Sequence, residues 1–417
     1  MKKRIPLLVV MLVCSLLTGC VKNEEEAAAG AEPLRIVIAS DTHYISQQLT
    51  DNGLYFQRMM ENADGKITEY CEPLMEGFVE QVIEEKPDAV ILSGDLSFNG
   101  AKLSHEDLAV KLSRIEDAGI PVYVIPGNHD IESGLAYSFC QGTYSKAEET
   151  SQKDFEEIYS GFGYCEALNR DEASLSYTVD LNDQVRLLMV DCNTPEEPGL
   201  IKTETLAWIE GQLKQAEKDG KYVLAVSHQN LLQHSSVLAY GFVMGNNKKL
   251  LKLYEKYPVI CNLSGHMHIQ HVQKADSGFT EIATSSLSVS PDQYGIMEIK
   301  GSTAAYHTEP VDMKKWAAEH NPDLVDFAGM SERYFKRISA EKSLQELDSA
   351  DNAQEMADWA ADINACYFAG RMDQAEWNDA LYQEWEKTDS FFGMYLTSLK
   401  KEGPVNQNTA VISFAGK

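Results

Sequence analysis

Positive charge is scarce in this chain. Its 417 residues include 36 lysines and arginines against 64 aspartates and glutamates, a formal net charge of -28 at pH 7. A surface with this excess of acidic groups repels polyanions, which argues against a broad face for nucleic acid or for an anionic membrane. No nucleic-acid polymer is therefore expected as a partner, and an anionic substrate would need a local positive site.

Closely spaced cysteines are also missing. The chain has eight cysteines but no C-x-x-C pair, and two of the eight, Cys14 and Cys20, lie in the first twenty residues. The other six stand at the widely separated positions 71, 140, 165, 192, 261 and 366. This spacing excludes a zinc ribbon and the disulfide framework of a small scaffold, although it leaves any disulfide pairing open. We interpret most of these cysteines as small buried apolar residues.

An apolar run of membrane-spanning length is absent at the amino terminus. Three basic residues, Lys2 to Arg4, precede the apolar segment Ile5–Leu17, as in a signal peptide. That segment is shorter than the roughly 20 residues that a spanning helix needs. We therefore predict a signal peptide over residues 1–20.

The end of this segment carries a lipidation signal. Residues 17–20, Leu-Thr-Gly-Cys, resemble the lipobox of bacterial lipoproteins. The resemblance implies that Cys20 is lipidated and holds the protein at the outer face of the bacterial cell membrane, an extracytoplasmic location. Residues 21–32 are polar and small and are predicted to be a flexible tether.

The body of the chain alternates between two patterns. Apolar, β-branched runs that end in polar groups lie at 34–43, 88–96, 121–130, 184–193, 221–230 and 258–268. Between several of them lie helical patterns, at 73–86, 203–220 and 246–257. Strands that alternate with helices predict an α/β domain. Because ligands in such domains bind beyond the carboxyl ends of the strands, the polar groups are expected to converge on one site.

The polar groups at these strand ends have the chemistry of metal ligands. They are Asp41, His43, Asp95, Asn128, His129, Asp130, His228, His266 and His268. Carboxylate, amide and imidazole ligands together suit Mn²⁺, Fe or Zn²⁺ better than Mg²⁺ or Ca²⁺. Nine groups are too many for one ion, so two divalent transition-metal ions that share a carboxylate are expected, as is common in phosphoryl chemistry.

These residues occur in five motifs whose order resembles the calcineurin-like metallophosphoesterase family. The motifs are D-x-H at 41–43, G-D at 94–95, G-N-H-D at 127–130, a later histidine at 228, and G-H-x-H at 265–268. The resemblance covers residues 33–309. It implies an α/β/β/α sandwich, in which two β-sheets pack face to face with helices on both outer sides.

The resemblance also implies a role for each residue. One metal would be held by Asp41, His43, Asp95 and His268, and the other by Asp95, Asn128, His228 and His266, with Asp95 as the bridge. His129 would act as general acid and Asp130 would hold it in orientation. The expected reaction is attack on a phosphodiester by a metal-bridging hydroxide, with His129 protonating the leaving oxygen. The chain departs from the family after His228, where it has Gln229 and Asn230.

The last hundred residues differ in character. From about residue 310 the pattern is helical, and four of the five tryptophans fall there. We predict a small helical domain over residues 310–417, whose aromatic residues form its core or, less in keeping with their periodicity, a substrate-binding box. This arrangement looks like that of exported Gram-positive phosphodiesterases of the cyclic-nucleotide branch.

Three functions are compatible with these features. The first is a phosphodiesterase acting on small diesters such as cyclic nucleotides. The second is a phosphomonoesterase, such as a nucleotidase or a phosphoprotein phosphatase. Of these two, the phosphoprotein phosphatase is disfavoured, because segments 94–102 and 127–133 lack the arginines that the protein-dephosphorylating branch of the family has near these motifs. The third is a binding protein on an inactive scaffold, against which the complete ligand set argues. The sequence leaves the oligomeric state open.

Two further features of the sequence indicate no function. Five histidines match no motif and are expected to be structural or exposed: His105, His234, His271, His307 and His320. Residues 61–72 resemble a calcium loop around Gly65, but Met60 and Cys71 stand where the first and last carboxylates are needed.

Overall fold

The computed structural model describes residues 32–347 and 352–414. Its strands are β1 Leu34–Ala39, β2 Ala89–Leu92, β3 Val122–Val124, β4 Tyr137–Ser138, β5 Ser145–Lys146, β6 Asn169–Arg170, β7 Tyr177–Asp180, β8 Val185–Val190, β9 Tyr222–Ser227, β10 Val259–Ser264, β11 His271–Lys274, β12 Thr280–Ala283, β13 Gln293–Lys300, β14 Thr303–Pro310 and β15 Thr409–Ser413. The predicted signal peptide, Cys20 and residues 21–31 of the predicted tether lie outside the described residues.

Helices lie in several of the segments between these strands. They are α1 Leu54–Met60, α2 Cys71–Glu85, α3 Lys102–Asp117, α4 Gln152–Ile158, α5 Thr203–Lys218, α6 Asn247–Lys256, α7 Met313–His320, α8 Phe327–Leu344, α9 Ala353–Phe368, α10 Asp379–Glu386 and α11 Phe391–Glu402. Across residues 32–347 and 352–414, no helix is both long enough and apolar enough to cross a membrane.

The strands form two large sheets. One has six strands in the order β15-β14-β13-β1-β2-β3, and the other has seven in the order β11-β12-β10-β9-β8-β7-β6. Strands β1, β2 and β3 run parallel to one another, as do β8, β9, β10 and β12, while the remaining pairs are antiparallel. The six apolar runs in the sequence all form parallel strands, and each is buried on both faces, as is usual for parallel strands.

The two sheets pack against each other through a shared apolar core. Along β8, Leu187 and Met189 belong to the same buried cluster as Ile36 and Ile38 of β1. The alternate residue Leu188 faces the other way, into a second cluster with side chains of α5 and α6. The strand period of two therefore separates a sheet–sheet interior from a sheet–helix interior.

Helices α2 and α3 cover the outer side of the six-stranded sheet. Phe78 of α2 contacts the ring of Tyr294 on β13, with ring centroids 5.4 Å apart. The layers are thus helix, sheet, sheet and helix, and the predicted fold class, α/β with two packed sheets flanked by helices and a helical carboxyl-terminal part, is confirmed.

The carboxyl-terminal part differs from the prediction in one respect. After α7 to α11 the chain returns to the six-stranded sheet, where β15 pairs antiparallel with β14. The segment 310–417 is therefore not purely helical. Strand β15 has only five residues, and its alternation of exposed and partly or fully buried positions is too short to be recognised as a strand from the sequence. The division of the chain at residue 310 stays a prediction.

Candidate metal centre

The predicted site residues come together at the carboxyl ends of the parallel strands. Asp41 and His43 follow β1, Asp95 follows β2, and Asn128 to Asp130 follow β3. From the other sheet, His228 follows β9, and His266 and His268 follow β10. The two sheets thus contribute to one site because their parallel strands end at the same side of the sandwich.

The backbone at this site is strained. Five of the predicted ligand residues have positive φ angles: Asp41 (52°), His43 (42°), Asp95 (47°), His266 (67°) and His268 (59°). Left-handed backbone costs a residue other than glycine about 1–3 kcal/mol and persists only where surrounding structure enforces it. This concentration of strain is typical of a functional site.

Two motif glycines allow the loops to approach closely. A Cβ added at Gly127 would lie 2.2 Å from the backbone nitrogen of Asp95, and one at Gly265 would lie 1.7 Å from Oγ of Ser40. Any side chain at either position would push apart the loops that carry Asp95, Asp41 and His266. The glycines of G-N-H-D and G-H-x-H are thus required because a larger residue would not fit at either position.

The first group of possible ligands contains Asp41, His43, Asp95 and His268, with ligand atoms that all lie within 4.8 Å of one another. Nε2 of His268 lies 3.3 Å from Oδ1 of Asp41 and 3.1 Å from Nε2 of His43. Oδ2 of Asp95 lies 3.9 Å from the same His43 nitrogen. Four lone pairs therefore converge on one point.

The second group contains Asp95, His228 and His266. Nε2 of His228 lies 3.3 Å from Oδ1 of Asp95 and 3.2 Å from Oδ1 of Asn128. The two carboxylate oxygens of Asp95 thus face different groups, Oδ2 the first and Oδ1 the second. This geometry is what a bridging ligand between two ions needs.

Hydrogen bonds at the back of the site fix which ring nitrogens are free. Nδ1 of His228 donates to the carbonyl of Ser93 at 2.9 Å, and Nε2 of His266 donates to the carbonyl of Gly241 at 2.9 Å. Because a carbonyl can only accept, Nε2 of His228 and Nδ1 of His266 are the ring nitrogens that remain for a metal ion. Such carbonyl partners orient histidine ligands in metal sites.

A buried carboxylate oxygen without a partner supports the fit to a cation. Oδ2 of Asp41 accepts from Oγ of Ser40 at 2.5 Å and from the backbone N–H of His266 at 2.9 Å, whereas the buried Oδ1 has no hydrogen-bond partner. Leaving a buried charged acceptor unsatisfied is costly. A divalent transition-metal ion, which prefers this mixture of carboxylate and imidazole, would satisfy it.

The protonation states of the histidines at this site are compatible with cation binding. Burial lowers the pKa of His43 well below its usual value and lowers the pKa of His266 to about 4, so both rings are neutral near pH 7. Burial also opposes a proton on His228, but the Asp95 carboxylate outweighs it and raises the pKa of His228 to about 9. A cation would replace this proton, so metal binding is coupled to proton release.

His129 lies beside the two groups with its ring partly exposed. Its Nδ1 donates to the carbonyl of Phe98 at 2.9 Å, and its Nε2 lies 3.8 Å from Oδ2 of Asp95. Its backbone N–H donates to Oδ1 of Asp95 at 2.9 Å. The ring therefore directs Nε2 towards the site without occupying a position in either ligand group.

The expected contact between Asp130 and the His129 ring is not present, which corrects that prediction. The carboxylate of Asp130 accepts from the backbone N–H groups of Leu96, Ser97 and Gly127 at 2.8–3.1 Å. It thereby ties the loop after β2 to the loop after β3. Asp130 does not reach the His129 ring because its side chain points into the protein, where burial raises its pKa. The Phe98 carbonyl orients the His129 ring instead.

A cavity beside His129 contains residues that the sequence did not single out. It measures about 270 Å³, and its lining includes Asp64, Lys66 and Asn99. Asp64 and Lys66 belong to the segment rejected above as a calcium loop. No motif marks them, and the turn at Asp64-Gly65 gives no indication that it reaches the strand ends of a distant sheet.

The remaining histidines and tryptophans lie outside the two ligand groups. His105, His234 and His271 are buried, whereas His307 and His320 are partly exposed. Trp359, Trp377 and Trp385 join the apolar cluster of the carboxyl-terminal helices, which agrees with a core role for these aromatic residues. Met267, between His266 and His268, is buried in that same cluster. Cys192 is buried as a packing residue, and burial raises its pKa to about 12.

Comparison with protein families gives two matches. Residues 34–270 match the family described as calcineurin-like phosphoesterase. Residues 312–403 match the C-terminal domain of cyclic nucleotide phosphodiesterase. The first match contains every residue of the two ligand groups.

Individual relatives match less than half of this chain, at low sequence identity. The glycerophosphodiester phosphodiesterase GpdQ of Enterobacter lignolyticus is 26% identical over 188 residues, which is 45% of this chain and 58% of that relative. A probable cyclic nucleotide phosphodiesterase of Ruthia magnifica is 26% identical over 191 residues, 46% of this chain and 66% of that relative. The chain thus covers less than two thirds of the length of either relative.

Among solved structures, a dimetal phosphatase from Danio rerio has a TM-score of 0.49 at 12% identity, covering 67% of this chain and 96% of that one.

Proposed function

The chain belongs to the calcineurin-like phosphoesterase family, and we propose that it is a metal-dependent phosphodiesterase acting on small phosphodiesters. One observation carries this proposal. Two groups of possible metal ligands share Asp95 and lie next to His129, whose ring is held by a backbone carbonyl with Nε2 towards the site. This arrangement combines a place for phosphate charge with a proton donor.

Each of the two groups of residues would hold one divalent ion. Mn²⁺ or Fe²⁺ is preferred, and Zn²⁺ is an alternative. Asp41, His43, Asp95 and His268 would bind the first, and Asp95, Asn128, His228 and His266 the second. Bound ions would supply positive charge for the phosphate and Lewis acidity to activate water. In a protein of net charge -28 they also create the local positive site that an anionic substrate requires.

His129 is the proposed general acid. The Phe98 carbonyl fixes a proton on Nδ1, so a second proton on Nε2 makes the ring an acid directed at the leaving oxygen. Asp130 is a positioning residue in this proposal. By accepting from Leu96, Ser97 and Gly127, it holds together the loops that present Asp95 and His129.

Diesters are favoured over monoesters. The matched relatives are named as a glycerophosphodiester phosphodiesterase and a probable cyclic nucleotide phosphodiesterase. The loops after β2 and β3 also carry no arginine that could hold the second charge of a monoester dianion. Small diesters of these two kinds, glycerophosphodiesters and cyclic nucleotides, are therefore the proposed substrate class.

The experiment is a substrate panel with the purified chain loaded separately with Mn²⁺, Fe²⁺ and Zn²⁺. It comprises aryl monoesters, aryl diesters, cyclic mononucleotides and glycerophosphodiesters. Diesters should be hydrolysed with the higher kcat/KM, and a chelator should abolish turnover. A consistent preference for monoesters would contradict the assignment as a diesterase, and turnover that persists without metal would contradict the metal centre.

The protein is further proposed to be an exported lipoprotein, held at the outer membrane face through Cys20. The basic residues, apolar run and lipobox-like sequence at the amino terminus support this location. Cys20→Ala should release the protein from membranes or leave its precursor unprocessed. A cleaved product that stays membrane-bound would refute lipidation.

A further inference from the structure

The cavity beside His129 has one apolar and one polar side. Its apolar side is formed by Met59, Phe98, Leu135, Tyr137 and Phe139. Its volume of about 270 Å³ lies just below the range of about 300–1,000 Å³ that is usual for ligand pockets. The cavity therefore has room for one small organic group and not for a polymer.

The polar side contains an ammonium group that nothing in the protein neutralises by contact. Lys66 is 6% exposed, and within residues 32–347 and 352–414 no hydrogen bond or ion pair reaches its Nζ. The backbone N–H of Lys66 is held by the carbonyl of Ala63 at 3.1 Å. Burying a charged group without a partner is expensive, so the position of Lys66 favours an anionic ligand.

The neighbouring carboxylate makes no contact with this ammonium, although its charge is the largest of those that favour the charged form of Lys66. Asp64 also lines the cavity, but it forms an ion pair with Lys342 of α8. Gly65 lies between the two residues with φ at 81° and packs against Phe335 of the same helix. Helix α8 thus holds the turn in place and engages Asp64, while Lys66 remains unpaired.

A second polar group in the cavity also has an unused hydrogen-bonding atom. Asn99 is 3% exposed and donates from Nδ2 to the carbonyl of Tyr137 at 3.0 Å. Its Oδ1 is buried and has no partner. A buried acceptor of this kind is normally satisfied, and this one is not.

Lys66 lies close enough to the metal centre to interact with it. Burial lowers the pKa of Lys66, whereas the charges of Asp64, Asp95 and Asp41 oppose this effect. After burial, the charge of Lys66 is the next largest influence that lowers the pKa of His43. The ammonium, the ligand groups and His129 therefore belong to one electrostatic environment.

We propose that this cavity is the subsite for the leaving alcohol of the diester, and that Lys66 selects alcohols carrying negative charge over cationic ones. The proposal rests on the proposed function. The alcohol that takes a proton from His129 must lie beside that ring, and His129 lines the cavity. A cationic alcohol would meet the Lys66 ammonium, with Asp64 already engaged by Lys342.

The step is a simple hydrolysis. The bond between phosphorus and the leaving oxygen breaks, and an oxygen from water forms the new bond to phosphorus. The leaving oxygen takes the proton from Nε2 of His129, and a proton from the water restores it. Lys66 takes no part in this transfer and acts on the charge of the alcohol alone.

The test uses three methyl aryl phosphates that differ only in the leaving phenol. The phenol carries a carboxylate, a hydrogen or a trimethylammonium group at the same ring position. The ratio of kcat/KM for the carboxylate substrate to that for the trimethylammonium substrate should be higher for the wild type than for Lys66→Gln by roughly 10-fold or more, the effect of one hydrogen bond to a charged group. Lys66→Glu should lower this ratio further, and Lys66→Arg should keep the wild-type ratio.

The matched control is Lys153→Gln on α4, where the lysine side chain is 83% exposed. It should leave the preference unchanged. Each ratio is compared with that of the wild type, so differences in the intrinsic reactivity of the phenols cancel. Metal content and melting temperature of each variant establish that it is folded and loaded.

The outcomes separate this inference from the proposed function. If the wild type hydrolyses all three substrates and the Lys66 variants keep its ratio, the subsite is wrong and the phosphodiesterase stands. If the wild type hydrolyses none, the proposed function fails, and calorimetric titration with the free phenols decides on the subsite. Binding of the carboxylate phenol that Lys66→Gln weakens supports it, and equal or absent binding overturns it.

Discussion

Among the described residues, two clusters of histidines and carboxylates differ in how their polar atoms are directed. The metal centre comprises Asp41, His43, Asp95, His228, His266 and His268. The second cluster, here called the histidine chain, comprises His234, His271, Glu281 and Glu402. Each contains two ring nitrogens in close contact, 3.1 Å apart between His43 and His268 and 3.0 Å apart between His234 and His271.

In the histidine chain the contacts follow one another in a line. Glu281 accepts from Nε2 of His234 at 3.1 Å, Nδ1 of His234 meets Nδ1 of His271, and Nε2 of His271 meets Glu402 at 2.7 Å. Glu281 also accepts from the backbone N–H of Leu231 at 2.8 Å. Every contact in this line can be made by a proton, so the chain is complete without an ion.

In the metal centre the ligand atoms converge instead. Atoms of Asp41, His43, Asp95 and His268 all lie within 4.8 Å of one another, and Oδ1 of Asp41 has no hydrogen-bond partner. A proton can join two atoms, but only a cation can join four. The comparison teaches that proximity of histidines is no evidence for a metal, whereas convergence with an unsatisfied carboxylate is.

The largest expected effect follows from removing the shared ligand. Asp95→Ala should lose both ions, because each ligand group contains this residue. Since catalysis depends on both ions acting together, we expect kcat/KM for a phosphodiester to fall by roughly 10⁴-fold or more. Metal analysis and kinetics of the purified variant provide the measurement. A variant that retains a full complement of ions would show that Asp95 does not bridge.

The histidine chain should respond in the opposite way. Glu281→Ala leaves His234, Leu231 and other donors without an acceptor, so the free energy of unfolding should fall by about 3–5 kcal/mol. Metal content per folded molecule should remain that of the wild type. Glu281→Gln, which keeps an acceptor oxygen, serves as the milder variant if the alanine variant does not fold. Loss of metal in either folded variant would break the distinction between the clusters.

A substitution of His129 tests whether this residue belongs to the metal ligands. By position it adjoins the ligand groups, but its Nδ1 is satisfied by the Phe98 carbonyl, as in a structural histidine. His129→Ala should therefore keep both ions and lose roughly 10²-fold in kcat/KM on a diester with a strongly basic leaving alkoxide. The loss should be much smaller with nitrophenolate, which needs no proton. Equal losses on both substrates would assign His129 to phosphate binding.

Much of this arrangement could be predicted from the sequence. The six runs that form β1, β2, β3, β8, β9 and β10 are long, apolar and β-branched, so burial on both faces determines their structure and their order determines the edge at which Asp41, Asp95 and His228 meet. The family resemblance placed the motif residues together, and the structure brings them together.

The rest depended on contacts between residues far apart in the chain. The partner of Asp130 was predicted from its neighbour His129, but direction is set by the backbone of Leu96 and Ser97, 33 or more residues away in sequence. Lys66 reaches the site because α8 holds its turn. The five-residue strand β15 is stabilised by β14 and not by its own pattern. None of these partners can be identified from local periodicity.

The smallest expected effect concerns the protonation of the histidine chain. Burial lowers the pKa of His234 in the folded protein below its value of about 6.5 in the unfolded chain. The unfolded state therefore binds more protons as the pH falls below about 6.5, so the stabilisation from neutral His234 is present above that pH and is lost below it. Between pH 7.5 and pH 5.5, the wild type should lose about 1 kcal/mol of unfolding free energy more than His234→Gln. Urea unfolding of both proteins at the two pH values, with the metal chelated so that proton release at the metal centre does not contribute, measures this difference. If both proteins lose the same amount, His234 carries the same charge folded and unfolded, and burial then does not outweigh the Glu281 carboxylate, whose contact favours the charged ring.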